Sequence, residues 1–218
     1  MMRVIALLIL SICVSINVSA LSSYILTEED KEQVKERIID KLEDFQFWLG
    51  EIANKKNSQK VRTDALKSNI VLFIGKCDPY TVTNHKTGEL EVKEAVKMQT
   101  SSVRNGKEVK NPPQRMKQYL YNILNNETYS NIKIEQADAV RVDNIRQVGD
   151  GEYEAVAYFC QYFTGYRGEE NYVAYSDYTE KAVRISIGLE EVRHAGKTEK
   201  IIKIKLGDMK VALTERLR

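Results

Sequence analysis

Histidine is scarce in this sequence, and its scarcity removes several kinds of chemistry. The two histidines, His85 and His194, lie far apart and have no carboxylate at ligand spacing, so neither a metal site nor histidine acid–base catalysis is indicated. Pairs of acidic residues are left open as acid–base groups. The sequence predicts no identifiable catalytic residue, no metal and no cofactor.

Cysteine is almost as rare, with three residues in the chain. Cys13 lies within the first twenty residues, which leaves Cys77 and Cys160 for the folded domain. An oxidising compartment would favour a disulfide between these two. Two buried thiols that pack as small apolar side chains are the alternative.

No excess of one charge is present either. Without Arg3, 32 basic side chains face 31 acidic ones, and the lysines and arginines are scattered along the chain. Nucleic acids and anionic membranes attract a concentrated positive field. We therefore expect no nucleic-acid partner.

Only one long apolar run occurs, and it lies at the N-terminus. The basic start Met1–Arg3 precedes the apolar run Val4–Val14 and the small-residue site Val18–Ala20. This pattern predicts a secretory signal peptide over residues 1–20, cleaved after Ala20. The run is too short to span a membrane comfortably. We expect export to the periplasm or the extracellular space, with no stable membrane span.

The pattern over residues 21–218 predicts one domain that begins with helices. Apolar residues recur at spacings of three and four over Val34–Ile52, after an acidic first turn that Thr27 can cap. A second helix is predicted for about Lys60–Phe73, with a stop at Gly75. A short third helix begins at Pro112 or Pro113.

Strand periodicity dominates the rest of the chain. Tyr153–Phe163 is apolar and aromatic on both alternating sets, which predicts a central strand covered on both faces. The hairpin signal Asp150-Gly151 precedes it. A long strand is predicted for Thr179–Val192, and the last strand ends in a turn at Gly207-Asp208. The fold class is therefore α+β, with N-terminal helices packed on a mainly antiparallel sheet.

The order of these elements resembles the nuclear-transport-factor-2-like (NTF2-like), or cystatin-like α+β, superfamily, in particular its exported bacterial members. Two features carry the resemblance. Ile70–Phe73 ends the second helix and runs into a strand, and Tyr153–Phe163 pairs with Thr179–Val192 and Glu199–Leu206. The resemblance implies a curved sheet wrapped on helices as a cone with a pocket, often dimeric through the sheet. It carries over no catalytic residue.

Helices on one face of the central strand would enclose a pocket. Its predicted lining is Trp48, Tyr119, Phe159, Gln161 and Phe163. Gln161 is the one polar residue of that strand face; it either bonds to a tyrosine such as Tyr119 or points into a wet cavity and orients a ligand. Trp48 is either a core anchor or a pocket wall.

Two further groups of aromatic residues are candidates for contacts with partners. The opposite face of the central strand has no helix to cover it, which predicts a homodimer through the sheet. The residues of that face are Val156, Tyr158, Cys160 and Tyr162. A predicted loop surface for glycan or protein contacts consists of Tyr166, Arg167, Tyr172 and Tyr175. Asp177 and Thr179 are interpreted as residues that fix a turn.

Two functions follow as hypotheses. The first is an exported, non-enzymatic binding or protein-interaction module for a small molecule, a glycan or a protein. The alternative is a small pocket enzyme, an isomerase or hydrolase, that uses carboxylate and tyrosine groups in the cone.

Overall fold

The computed structural model describes residues 25–84, 87–194 and 197–217 and has an α+β fold. The predicted signal peptide of residues 1–20 and His85 lie outside the described residues. The described helices are α1 (Glu28–Ala53), α2 (Gln59–Ile70) and α3 (Met116–Leu124). None of the three is long and apolar enough to cross a membrane.

Helix α1 begins where the sequence predicts. The Thr27 hydroxyl accepts a hydrogen bond from the Asp30 N–H (3.1 Å), and the Asp30 carboxylate accepts one from the Thr27 N–H (2.9 Å). This capping box satisfies two backbone donors at the helix start. The apolar side chains at spacings of three and four are buried, as predicted: Val34, Ile38, Leu42, Phe45, Leu49 and Ile52.

Helix α2 is shorter than predicted, because it ends at Ile70 rather than at Phe73. A 3-10 turn follows at Ile74–Cys77, in which Gly75, Lys76 and Cys77 have φ angles of 59°, 53° and 63°. These left-handed conformations interrupt a right-handed helix. The apolar residues before the turn therefore enter the core as irregular chain.

Strands make up most of the remaining chain. The strands are β1 (Tyr80–Thr83), β2 (Leu90–Lys93), β3 (Lys97–Met98), β4 (Ser101–Arg104), β5 (Lys107–Lys110), β6 (Gln114–Arg115), β7 (Asn131–Val142), β8 (Arg146–Gly149), β9 (Glu152–Arg167), β10 (Tyr172–His194) and β11 (Lys197–Arg216). The main sheet has the order β6-β3-β11-β10-β9-β7, and β8 also pairs with β9. Its pairings are antiparallel except for β3 with β11, and β1–β2 and β4–β5 are separate hairpins.

Two boundaries differ from prediction. The predicted turn at Gly207-Asp208 is a β-bulge inside β11, because these two residues lie opposite the single residue Arg184. A Cβ on Gly207 would lie 3.0 Å from the Arg184 carbonyl oxygen, so glycine permits this close approach. Helix α3 begins at Met116 rather than at the prolines, since β6 occupies the residues between.

One face of β9 packs on the helices, and the other does not. Tyr153, Ala155, Ala157 and Phe159 are buried, and the Phe159 ring lies 5.9 Å from that of Phe45 on α1. On the opposite face Val156 is 37% exposed and Tyr162 is 39% exposed. The prediction of a strand covered on both faces is therefore wrong for the single chain.

The buried guanidinium of Arg62 joins the helices that support the sheet. Its Nε donates to the Ile52 carbonyl of α1 (2.8 Å), and its Nη2 donates to the Leu124 carbonyl of α3 (2.5 Å). Carbonyls at helix C-termini have no partner within the helix, so the arginine satisfies one in each. This contact holds α3 beside the sheet, where it forms one wall of the site described next.

Candidate functional site

A cavity of about 450 Å³ lies between the hairpin β4–β5, helix α3 and the helix-facing side of the sheet. We call it the hairpin cavity. The hairpin side contributes Thr100–Arg104, and Tyr119, Ile123 and Tyr129 form the wall on and after α3. The sheet contributes Gln161, Phe163, Tyr175, Asp177, Thr179 and Lys181. Its volume is within the range of roughly 300–1,000 Å³ typical of small-molecule sites.

Strand register brings the sheet residues of the cavity together. Residues directly opposite one another on β9, β10 and β11 form three successive rows: Phe163–Asp177–Arg216, Gln161–Thr179–Thr214 and Phe159–Lys181–Val211. Alternate residues of a strand point to the same face, so Asp177, Thr179 and Lys181 share one side of β10. A carboxyl group, a hydroxyl and an amine thus stand in line along the floor.

The buried carboxylate of Asp177 has hydroxyl donors. The Tyr175 hydroxyl donates to Asp177 Oδ2 (2.7 Å), and the Thr179 hydroxyl donates to Oδ1 (3.4 Å). Burial raises the pKa of Asp177, while these two hydrogen bonds and the nearby Lys181 charge act in the opposite direction. The pKa of this carboxyl therefore reflects two opposing effects, the desolvation of its charge and the stabilisation of that charge by specific contacts.

The charge of Lys181 is buried as deeply as that of Asp177 but is stabilised by fewer contacts. It is 4% exposed, and among the residues that the structure describes its ammonium forms no ion pair and no hydrogen bond. Burial lowers the pKa of Lys181 to about 8, and the charge of Asp177 opposes this change through space. An ammonium group without a partner is costly to bury.

Two further polar atoms of the cavity have no partner. Gln161 is 3% exposed, and its Oε1 accepts no hydrogen bond within the described part of the chain. The same holds for Ser102 Oγ on the hairpin side. Tyr119 lines the cavity with Gln161, yet the bond from a tyrosine to this oxygen, one of the two predicted alternatives, is absent. Gln161 faces the cavity instead.

An aromatic wall follows the sheet end of the cavity. The Phe163 ring lies 5.8 Å from that of Tyr129 and 6.1 Å from that of Tyr175. A Cβ on Gly165 would lie 2.4 Å from Tyr129 Cε1, so only glycine lets the Tyr129 ring lie across the strand. These rings provide an apolar surface beside the polar floor.

Side chains hold the hairpin β4–β5 against the sheet. The Val103 N–H donates to the Tyr175 hydroxyl (3.1 Å), and Ser101 Oγ shares a hydrogen bond with Thr214 Oγ1. Lys110 Nζ donates to the carbonyls of Val211 (3.1 Å) and Ala212 (2.9 Å). The hairpin thus contributes a cavity wall without joining the main sheet.

Three of the five predicted pocket residues line the cavity, namely Tyr119, Gln161 and Phe163. Phe159 is fully buried in the core instead. Trp48 is partly buried at the edge of the core, where its ring lies 4.8 Å from that of Phe47. For Trp48 the structure therefore favours the core alternative over the pocket wall.

The predicted loop surface does not form one patch. Tyr175 belongs to the cavity, and its hydroxyl is occupied by Asp177 and Val103. Arg167 is exposed and donates to the Thr128 carbonyl (3.1 Å), while Tyr166 is half-buried at the end of β9. Tyr172, at 59% exposure, keeps its ring in solvent.

The two cysteines lie on different sides of the sheet. Cys77 is buried in the core, where burial raises the pKa of its thiol to about 12. Cys160 is half-buried on the outer face of β9, between Tyr158 and Tyr162. No disulfide joins Cys77 and Cys160 in the structure, because the sheet separates their side chains.

Asp177, Thr179 and Lys181 are the site residues that the sequence interpretation missed. All three belong to β10: Asp177 and Thr179 do not fix a turn, and Lys181 lies within a strand, as predicted. Their spacing of two residues from the buried Val183 on the same strand is the period-two signal that would have found them.

A larger groove of about 710 Å³ runs between α1 and β7. Its charged side chains Glu43, Lys133 and Glu135 are exposed to solvent, and Gln46 contributes a buried amide without a partner in the described residues. Buried ionisable groups with shifted pKa values mark functional sites more often than solvated ones. We therefore regard the hairpin cavity as the candidate site.

Comparison with known protein families, with curated proteins and with solved structures gave no match to this chain. Within the described residues, no group of three or more His, Cys, Asp and Glu side chains is placed to hold a metal ion.

Proposed function

We propose that this protein is an exported, non-enzymatic binding module that takes a small ligand in the hairpin cavity. One observation carries the proposal: Gln161 and Lys181, both almost fully buried, present unmatched polar groups to the same cavity. Native proteins rarely leave such groups unsatisfied unless a ligand or water completes them. Export is supported by the N-terminal pattern that ends at Ala20.

The proposed architecture is the NTF2-like cone. It is supported by helices that cover one face of the long strands β9, β10 and β11, and by a cavity between that face and the elements above it. In a cone of this kind the ligand lies against the inner sheet face, which is where Gln161 and Lys181 point.

Occupancy of the cavity tests the proposal. Ligand-observed NMR with a library of small neutral, anionic and cationic organic molecules would identify those that bind the folded protein. The variant Ser102→Phe places a ring in the cavity, and we expect it to abolish the binding. Val92→Phe, at an exposed position of the separate hairpin β1–β2, is the control and should leave binding unchanged. Equal binding to both variants would contradict the proposal.

A second candidate function, a small pocket enzyme, is favoured by the Tyr175–Asp177 pair. A buried carboxyl with a raised pKa beside a hydroxyl is suited to proton transfer. Turnover in a screen of isomerase and hydrolase substrates, lost in Asp177→Asn, would support the enzyme. Binding without turnover in the same screen supports the module.

We also propose that the outer face of the sheet pairs with a second copy of the chain. Val156 and Tyr162 are exposed there, beside the Tyr178 ring that lies 5.5 Å from that of Tyr162. An apolar surface of this kind is usually covered in the functional assembly.

A further inference from the structure

The uncompensated charge in the hairpin cavity is positive. Asp177 accepts hydrogen bonds from Tyr175 and Thr179, so protein groups already stabilise its negative charge. Lys181 receives no such contact from the described residues. The cavity wall also includes Arg104, which is exposed at its edge. An entering ligand therefore meets two cationic groups and one carboxylate whose charge is already stabilised.

Lys181 lies at a deeply buried part of the cavity floor. Its cross-strand neighbours are Phe159, which is fully buried, and Val211, which is buried as well. The low local dielectric there strengthens any interaction between the ammonium and an opposite charge. A charged hydrogen bond formed in such a place is stronger than a neutral one.

The rest of the cavity is suited to the apolar part of a ligand. Phe163 lies four residues along β9 from Phe159, the residue opposite Lys181. It provides ring surface together with Tyr129, and Ile123 adds aliphatic surface. Gln161 lies between these groups and the amine, with an acceptor oxygen that has no partner among the described residues. The cavity has polar groups at one end and rings at the other, which indicates a ligand with a polar end and an apolar end.

We propose that the ligand of the hairpin cavity is an amphipathic organic carboxylate. Its carboxylate pairs with the Lys181 ammonium, and its apolar body packs on Phe163, Tyr129 and Ile123. A hydrogen-bond donor on the ligand, where present, is accepted by Gln161 Oε1. This inference rests on the proposed function, because it specifies the ligand of the same cavity.

Phenylalkanoates of increasing chain length, from phenylacetate upward, test the charge requirement when each is paired with its primary amide. The amide has nearly the same shape but no charge. We expect the carboxylates to bind the full chain more tightly than their amides by calorimetry. In Lys181→Met, which keeps the length and removes the charge, carboxylate affinity should fall about tenfold to a hundredfold. Lys210→Met, an exposed lysine of β11, should have no effect.

The outcomes separate this inference from the proposed function. Carboxylates and amides that bind equally, compete for one site and are blocked by Ser102→Phe would overturn the charge requirement and leave the binding module intact. The same holds if Lys181→Met binds carboxylates as well as the native chain does. Absence of binding by any carboxylate or amide of the series would overturn the inference, and failure of the wider library as well would overturn the proposed function.

Discussion

The Tyr175 hydroxyl donates a hydrogen bond to the Asp177 carboxylate at 2.7 Å and accepts one from the Val103 N–H at 3.1 Å. One hydroxyl therefore connects a buried carboxyl on β10 with the hairpin that covers the cavity. The charge of Asp177 and the position of the hairpin are coupled through this atom. Removal of the hydroxyl should therefore affect both Asp177 and the hairpin.

Tyr175→Phe removes that hydroxyl and keeps the ring. We expect a loss of about 1–3 kcal/mol in the free energy of unfolding, because the Val103 N–H and the Asp177 carboxylate each lose a partner. The pKa of Asp177 should also rise, since the lost hydrogen bond lowers it in the native protein. Chemical denaturation and carboxyl-carbon NMR titration measure the two effects. Tyr172→Phe, at an exposed ring, is the control, and equal losses in both variants would contradict the coupling.

Gln161→Leu tests whether the buried amide has an internal partner. The structure leaves Gln161 Oε1 without one, so an apolar residue of similar size should be neutral or stabilising, by up to about 1–3 kcal/mol. The melting temperature should stay the same or rise, while binding of a ligand found in the cavity should weaken. A marked fall in melting temperature would instead indicate an internal hydrogen bond, such as one to Tyr119.

Local signals predict most of the architecture. The apolar spacing of Val34–Ile52 and the cap at Thr27 determine α1 almost to the residue. Tyr153–Phe163 is an inner strand of the sheet, as its composition predicts. Boundaries fail where the backbone leaves the regular conformation: three left-handed residues after α2 and a bulge at Gly207 are decided by tertiary contacts that no short pattern contains.

The site was harder to predict than the fold, because its polar residues occupy core positions. Val183 is buried on the core face of β10. The side chains at every second position before it, which are Asp177, Thr179 and Lys181, point to the same face. Extension of this alternation toward the N-terminus would have placed all three inside. Polar and charged residues are rarely fully buried, so the polarity of Asp177 and Thr179 suggested a turn. Buried charge at strand period is therefore a signal of function rather than of a loop.

Self-association through the outer sheet face remains a prediction. Tyr162→Asp places a charge on that face, directly opposite Tyr178 of β10. If the face joins two copies, the native chain should sediment as a dimer at micromolar concentration and the variant as a monomer. Tyr121→Asp, at an exposed position of α3, is the control and should remain dimeric. A native chain that sediments as a monomer would rule out this assembly.

The cysteine pair gives a direct chemical test of the sheet arrangement. Because the sheet separates Cys77 from Cys160, both should be alkylated by iodoacetamide when the protein is denatured without reductant. In the folded protein Cys77 should resist alkylation, since burial shields it and raises the pKa of its thiol to about 12. Mass spectrometry of the alkylated chain reads out both results. A mass that shows neither cysteine alkylated after denaturation would indicate a disulfide.

The buried amine of Lys181 should give the stability of this protein a characteristic pH dependence. Burial lowers the pKa of Lys181 from 10.5 to about 8. Below pH 8 the amine is charged in both the folded and the unfolded chain, and the full cost of burying the charge opposes folding. As the pH rises from about 8 to 10.5, the folded chain loses this proton first, so the cost disappears and stability increases.

Lys181→Met isolates this contribution from those of other groups. The variant should be more stable than the native chain below pH 8, by about 3 kcal/mol. Its advantage should shrink as the pH rises from about 8 to 10.5 and approach zero above that range, where the native amine is neutral in both states. Ionising tyrosines affect both proteins alike above pH 10, so the difference between the two unfolding free energies cancels them. Urea titrations of both chains across this range measure that difference, and a difference that stays constant with pH would show that Lys181 does not carry a buried charge.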